Sequence, residues 1–234
     1  LQSDMKDCYK KVKNYLLQER LVLFVGTPCQ VMGLKLFLRK EYDNLLAVEV
    51  VCHGVPSPLV WEKYLEEVCN RKKISLNEIE NISFRNKDKS WRVFNLKIEG
   101  KDKTILKESL HDNLYMRGFL QNLFLRQSCH NCPAKNFNSM ADISLADYWG
   151  IDRFHPEIDD NKGVSAMILY NKKIKLDFKK LFLDFKKLKL DFKNTTLRNI
   201  LETNTALVKS AKPHPRREEF FDTMQEKGLL NLKQ

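Results

Sequence analysis

Four of the six cysteines in this chain lie where thiolate chemistry would need them. Cys29 stands in Gly26-Thr27-Pro28-Cys29-Gln30, and Cys52 stands in Cys52-His53-Gly54-Val55-Pro56. Each of these two motifs follows a short apolar run, 21–25 and 47–51, of the kind that forms a buried strand. Cys129 and Cys132 form a Cys-x-x-Cys pair farther along the chain. The spacing raises the question of whether all four thiols serve one site.

Neighbouring strands of a parallel sheet end at the same edge, and open α/β sheets bind their ligands at the carboxyl ends of the strands. Two cysteines at adjacent strand ends, together with a Cys-x-x-Cys loop, could therefore make one site of four thiolates. Thiolates are suitable ligands for an iron–sulfur cluster or for zinc. A redox-active dithiol is the third chemistry that the residues allow.

The elements around the first two cysteines predict an α/β fold. A helix over 5–19 is followed by a strand to residue 25, a helix over 30–40, a strand over 45–51 and a helix over 59–69. Alternation of strands and helices is typical of a parallel sheet that is flanked by helices.

The middle of the chain predicts a small antiparallel insertion near residues 79–106. Three segments alternate in polarity like strands, and turn-forming residues separate them: 79–84, 91–98 and 104–106. A helix over 114–127 then leads to Cys129, and further strands are predicted over 142–145 and 164–170. A Leu-Asp-Phe-Lys repeat begins at Leu176, Leu183 and Leu190, and we assign it no function. A strand near 188–192 and a mostly helical tail over 194–234 complete the prediction.

Composition limits the classes of protein to be considered. The chain of 234 residues can build one large domain, and we predict a single domain over 1–234. Lysine and arginine outnumber aspartate and glutamate by 41 to 30, but the excess is largely lysine scattered through 172–193, without a nucleic-acid motif. We interpret it as a solvated surface, which is also compatible with an acidic cofactor or electron-transfer partner. No segment is apolar enough for a membrane helix, and the N-terminal residues Leu1–Met5 contain no apolar signal core.

We therefore predict a cytoplasmic protein, whose cysteines serve as ligands, catalytic groups or buried thiols rather than disulfides. Because the chain does not begin with Met, Leu1 is expected to start a fragment of a longer protein.

Taken in order, the motifs resemble a known family. They are Gly26-Thr27-Pro28-Cys29-Gln30, Cys52-His53-Gly54-Val55-Pro56-Ser57, Cys129-x-x-Cys132, the segment from Ala141 to Gly150, Asp159-Asp160-x-x-Gly163-Val164-Ser165, and Arg217 with Phe220-Phe221. The chain resembles the C-terminal domain of the beta subunits of coenzyme F420 (deazaflavin) hydrogenases and dehydrogenases. The Cys-His-Gly-x-Pro-Ser form resembles the bacterial branch of that family.

The resemblance implies an iron–sulfur flavoprotein oxidoreductase that passes electrons between a [4Fe–4S] cluster and FAD. The cluster ligands would be Cys29, Cys52, Cys129 and Cys132, and the electron partner would be a deazaflavin or a small redox substrate. Many members carry an N-terminal ferredoxin-like domain, which is missing here, so a ferredoxin or ferredoxin-like domain is the expected partner.

Residues beside the cysteines are the candidates for binding the flavin. They are Gly26, Thr27, Pro28, Gln30, His53, Gly54, Asp147 and Trp149. Gly26 allows a tight turn and Pro28 stiffens the loop, while Asp147 could bond a ribose or an amide. Other readings stay open: Cys29 could be a buried loop thiol, His53 could bond only the backbone, and Trp149 could be core packing. Cys8 and Cys69 are expected to be core or surface thiols.

An alternative function belongs to another class of protein. Four thiolates can close a tetrahedral structural zinc site that has no open position for chemistry. The chain would then be a zinc-stabilised or cofactor-less interaction module in a polysaccharide-synthesis setting.

Overall fold

The computed structural model describes residues 3–88, 90–170 and 192–227, which form two compact units. The sheet unit consists of Ser3–His53 and Cys132–Ser210. The aromatic unit consists of Gly54–Asn131 and residues 211–227 of the tail. Within these ranges, each unit is described only for the residues that the structure describes. The predictions of a single domain and of a missing ferredoxin-like domain stay predictions.

The sheet unit contains a mixed four-stranded sheet. Its strands are β1 (Val22–Gly26), β2 (Leu45–Val50), β6 (Ile143–Asp147) and β7 (Ser165–Leu169), in the order β1-β2-β6-β7. The first three strands are parallel, and β7 runs antiparallel to β6. This arrangement confirms the predicted α/β fold with a parallel core.

The first two helices pack on the sheet through buried apolar side chains. The sheet unit contains α1 (Cys8–Leu17), α2 (Pro28–Leu38), α5 (Ile151–Phe154) and α6 (Leu197–Thr203). Its core joins Leu16 of α1 and Leu34 of α2 to Phe24 and Ala47 on the strands. Helix α2 begins at Pro28, where a proline is well tolerated, and stops where Arg39 takes a left-handed conformation with φ of 59°.

The aromatic unit confirms the predicted antiparallel insertion. Strands β3 (Asn81–Asn86), β4 (Asn95–Glu99) and β5 (Thr104–Ser109) form a three-stranded antiparallel sheet. It is accompanied by α3 (Pro58–Lys72), α4 (Leu114–Leu120) and α7 (Arg217–Lys227). The core is rich in rings, with Trp61 4.9 Å from Tyr115 and Phe124 5.6 Å from Phe220 between ring centroids. Aromatic pairs at such separations add to the stabilisation from burial alone.

Two predicted elements are shorter than expected. The helix predicted over 114–127 ends at Leu120, because Asn122 adopts a φ of 65° that no α-helix accepts. The strand predicted from residue 91 begins at Asn95, although Trp91 itself is fully buried. In its described residues, the predicted helical tail contains α6 and α7, with residues 213 and 215, both prolines, between them.

Residues 171–191 lie outside the described residues, and they contain most of the repeat and most of the strand predicted near 188–192. In the part of the chain that the structure describes, no helix is both long enough and apolar enough to cross a membrane.

Candidate functional site

Three parallel strands of the sheet unit end at the same edge of its sheet. Gly26 on β1 is in register with Glu49 on β2, and Val50 on β2 is in register with Leu145 on β6. The loops that carry Cys29 and Cys52, and the segment that follows Asp147, therefore leave one sheet edge. This confirms the expectation that the strands before Cys29 and Cys52 end side by side. It is the edge at which open α/β sheets bind ligands.

The turn after β1 is held by the side chain of Gln30. Its Oε1 accepts a hydrogen bond from the Thr27 amide at 2.9 Å, and its Nε2 donates to Ser3 Oγ at 2.6 Å. A Cβ atom on Gly26 would lie 3.1 Å from Gln30 Oε1, which is closer than most Cβ atoms come to a neighbour. Gly26, Thr27 and Gln30 thus build the turn, and their role in binding a flavin stays a prediction.

Cys29 is exposed at the beginning of α2. It follows the buried Pro28, and its Sγ lies 3.3 Å from Thr27 Oγ1. The positive end of the helix dipole favours negative charge in the first turn of this eleven-residue helix. The structure therefore does not support the alternative that Cys29 is a buried thiol.

Lys135 joins the loop of Cys52 to the loop of Cys132 within the sheet unit. The Lys135 ammonium donates to the Cys52 carbonyl and to the Ala206 carbonyl, at 2.5 Å each. The Lys135 amide donates to the Cys132 carbonyl at 3.3 Å. Cys52, His53 and Cys132 are half-buried. One lysine therefore holds two of the predicted ligand segments together.

Within the aromatic unit, Cys129 contacts the segment that follows Cys52 in the sequence. Its Sγ accepts a hydrogen bond from the Val55 amide at 3.4 Å. Gly54 is required here, because its φ is 155° and an added Cβ would lie 2.7 Å from Leu125 Cδ1 and 3.5 Å from Cys129 Cβ. Amide hydrogen bonds to sulfur are one of the means by which proteins tune iron–sulfur clusters.

The tail holds the Cys-x-x-Cys segment in each unit. In the sheet unit, the Cys132 amide donates to Ser210 Oγ at 3.0 Å, and the Asn136 amide donates to the Leu207 carbonyl at 3.1 Å. In the aromatic unit, His130 Nδ1 lies 2.8 Å from the Ala211 carbonyl, which only accepts, so Nδ1 is the donor. Neither Lys135 nor these tail contacts could be recognised from the sequence.

The thiols fit a cluster by their chemistry. All six cysteines are free, and Cys29, Cys52, Cys129 and Cys132 are at least partly exposed. Cys8 lies in α1 and Cys69 lies buried in α3, where burial raises the pKa of the Cys69 thiol. Among residues 3–88, 90–170 and 192–227, no group of three or more Cys, His, Asp or Glu side chains is arranged to hold a metal ion.

The segment after β6 contains one buried ring and one exposed ring. Tyr148 is buried, its hydroxyl lies 2.7 Å from Thr195 Oγ1, and its ring stacks on Phe154 at 6.4 Å. Trp149, by contrast, is 38% exposed. Asp147 ends β6 and is half-buried. Of these aromatic residues, Trp149 has the exposed surface that a flat ligand could contact.

A buried polar cluster on the sheet was missed by the sequence analysis. Glu49 on β2 is 3% exposed, and its Oε1 accepts a hydrogen bond from Ser144 Oγ on β6. The Tyr170 hydroxyl lies 2.8 Å from the same Ser144 Oγ. Burial and the nearby Glu49 carboxylate raise the pKa of Tyr170. The only sequence signal was an acidic residue inside an otherwise apolar strand.

Comparison with known proteins gives a family match. The family model for the C terminus of the beta subunit of coenzyme F420 hydrogenase/dehydrogenase matches residues 19–190, which is most of the chain. All four predicted ligand cysteines lie inside the match. Neither the search of curated proteins nor the search of solved structures gave a match. The resemblance to the family is confirmed, and placement in its bacterial branch stays a prediction.

Proposed function

We propose a specific redox reaction from the premise that the chain belongs to the coenzyme F420 hydrogenase/dehydrogenase beta-subunit family. Membership in this family suggests a redox role as an oxidoreductase subunit, and a beta subunit implies partner subunits. Our proposal is that the chain binds a [4Fe–4S] cluster and FAD and passes electrons between them. The electrons would be exchanged with a deazaflavin or another small redox substrate.

One observation carries the proposal: within the sheet unit, Lys135 joins the loop of Cys52 to the loop of Cys132. In the sheet unit, Lys135 donates to the Cys52 carbonyl, and its amide is hydrogen-bonded to Cys132. In the aromatic unit, the Val55 amide donates to Cys129 Sγ. These contacts support a shared role for cysteines that lie far apart in the sequence.

The cluster ligands in this proposal are Cys29, Cys52, Cys129 and Cys132. Two residues separate Cys129 from Cys132, so the chain between them is short enough for both thiols to serve one cluster. Cys29 would contribute an exposed thiol from the beginning of α2. The Val55 amide would stabilise negative charge on the Cys129 sulfur.

The flavin in this proposal would bind at the sheet edge formed by β1, β2 and β6. Trp149 would pack on the ring system, and Asp147 would accept a hydrogen bond from a hydroxyl or amide of the cofactor. Gly26, Thr27, Pro28, Gln30, His53 and Gly54 would shape the loops beside it. When bound, the two cofactors would couple one-electron transfer to two-electron chemistry.

We place this reaction in the cytoplasm, with a ferredoxin or ferredoxin-like domain as the electron partner. The free state of all six cysteines is compatible with a reducing compartment.

Anaerobic purification and reconstitution with iron and sulfide would test the proposal, with iron, sulfide, zinc and flavin measured per chain. We expect about four irons per chain, with cluster and flavin absorbance. Cys52→Ser and Cys132→Ser should lose most of the iron. Cys8→Ser is the matched control, and it should retain the iron, because Cys8 lies in α1.

Two results would contradict the redox proposal. Binding of zinc without iron would favour the structural zinc module, because a tetrathiolate zinc site performs no redox chemistry. A protein that binds neither metal nor flavin after reconstitution would favour the cofactor-less interaction module.

A further inference from the structure

Lys135 is a buried cation that has no acidic partner among the described residues. It is 7% exposed, and it is the single lysine or arginine in the buried class among the described residues. Its ammonium has three donors, and two of them reach the carbonyls of Cys52 and Ala206. Within residues 3–88, 90–170 and 192–227, no carboxylate forms an ion pair with it. In the part of the chain that the structure describes, its positive charge is therefore met by neutral carbonyl groups.

A buried charge in this situation is unfavourable unless a counter-charge is supplied. Removing an ammonium from water is costly even after relaxation of the protein, and carbonyl dipoles offset only part of that cost. A methionine of similar length would fill the same space without the cost. The position of the charge, directly against the Cys52 main chain and three residues after Cys132, indicates where the counter-charge belongs.

We propose that Lys135 is a positioning residue that provides the fixed positive charge for an anionic iron–sulfur cluster held by the neighbouring thiolates. This inference rests on the proposed function. A four-iron cluster with four thiolates is an anion, because the thiolate charges exceed the charge of its iron–sulfide core. Lys135 would hold the loops of Cys52 and Cys132 together and would lower the energy of negative charge between them.

The sign of the effect follows from electrostatics. Reduction adds one electron to the cluster, so a nearby cation stabilises the reduced form more than the oxidised form. Charge and burial near a cluster are established determinants of its potential. Loss of the Lys135 charge should therefore make the reduction potential more negative.

The chain offers matched variants for a test. Lys135→Met removes the charge and keeps the length of the side chain, whereas Lys135→Arg keeps the charge. Lys135→Gln also removes the charge, and its amide can still donate to a carbonyl, which provides a second variant if Lys135→Met does not fold. Lys209→Met is the control for net charge, because Lys209 is exposed on the same tail segment.

The experiment is a redox titration of the reconstituted cluster, followed by absorption and electron paramagnetic resonance, with thermal unfolding of the cluster-free proteins measured in parallel. At a fixed potential, we expect the ratio of oxidised to reduced cluster to be at least tenfold higher in the uncharged Lys135 variants than in the original protein. For a one-electron couple this is a shift of about 59 mV to more negative potential. Lys135→Arg and Lys209→Met should titrate close to the original protein.

The outcomes separate this inference from the proposed function. If the original protein binds a cluster and Lys135→Met or Lys135→Gln titrates like Lys209→Met, Lys135 does not tune the cluster, and the redox proposal stands. If the original protein binds no cluster, both proposals are wrong. Lower thermal stability of the cluster-free Lys135 variants without any change in potential would assign Lys135 a purely structural role and would overturn the inference.

Discussion

The contact between Glu49 and Ser144 allows a quantitative prediction about the sheet that supports the candidate site. Ser144 Oγ donates to Glu49 Oε1, while Glu49 Oε2 is buried and has no hydrogen-bond partner among the described residues. Ser144→Ala would thus leave both oxygens of a buried carboxyl group unpaired. A buried polar group that loses its partner costs about 1–3 kcal/mol. We expect Ser144→Ala to lower the free energy of unfolding by that amount.

A double-mutant cycle isolates the contribution of the carboxyl group. In a Glu49→Met background, Ser144→Ala removes only the hydrogen bond to the Tyr170 hydroxyl, which is worth about 0.5–1.5 kcal/mol. The effect of Ser144→Ala should therefore be smaller in this background than in the original protein, by about 0.5–1.5 kcal/mol.

Denaturant unfolding at neutral pH would measure the cycle, with Ser165→Ala as the matched control. Ser165 is an exposed residue of β7, where such a change usually alters stability by less than about 0.5 kcal/mol. If the two single changes add within about 0.5 kcal/mol, Glu49 and Ser144 do not interact in the way described.

Three further predictions concern other parts of the chain. Burial raises the pKa of Tyr64 from 10.0 to about 12, so the folded state is fully stabilised below pH 10 and loses stability as the pH rises towards 12. Between pH 9 and 12, the unfolding free energy of Tyr64→Phe should fall less than that of the original protein, and the two falls should differ by on the order of 2–3 kcal/mol. Equal falls in the two proteins would contradict this prediction. Gly54→Ala should lower the free energy of unfolding, measured with denaturant, by about 1–3 kcal/mol because its methyl group clashes with Leu125. Adding Leu125→Val should recover part of this loss, and no recovery would contradict the clash. Ser210→Ala removes the acceptor of the Cys132 amide, so hydrogen exchange at that amide should accelerate about fivefold, and unchanged exchange would show that this bond gives no protection.

The sheet edge could be predicted because its signals are local in the sequence. Each of the first two strands is a short apolar run that ends in a turn-forming motif, and a helix follows each turn. Parallel pairing then brings the loops of Cys29 and Cys52 to one edge without any information on contacts. The antiparallel insertion was predictable for the same reason, because alternation of polar and apolar residues is a local pattern.

The contacts that tie the site together could not be predicted, because they join residues far apart in the sequence. Lys135 Nζ reaches Cys52 across 83 residues and Ala206 across 71 residues. A lysine in a sequence is normally exposed, since burial of its charge is costly, so composition alone assigns Lys135 to the surface. The same holds for Glu49, whose burial depends on the neighbouring strand that carries Ser144.

The chemical nature of the acceptors explains why even a family pattern misses these contacts. The family match ends at residue 190, yet residues 206, 207 and 210 bind the segment from Cys132 to Asn136. Two of these three acceptors are main-chain carbonyls, which every residue type provides, so the contacts place little constraint on the tail sequence. The tail contributes mainly main-chain carbonyls to these contacts, and main-chain contacts leave no motif in the sequence. Only Lys135 and Ser210 make these contacts through their side chains, so the contacts restrict the residue type at these two positions alone.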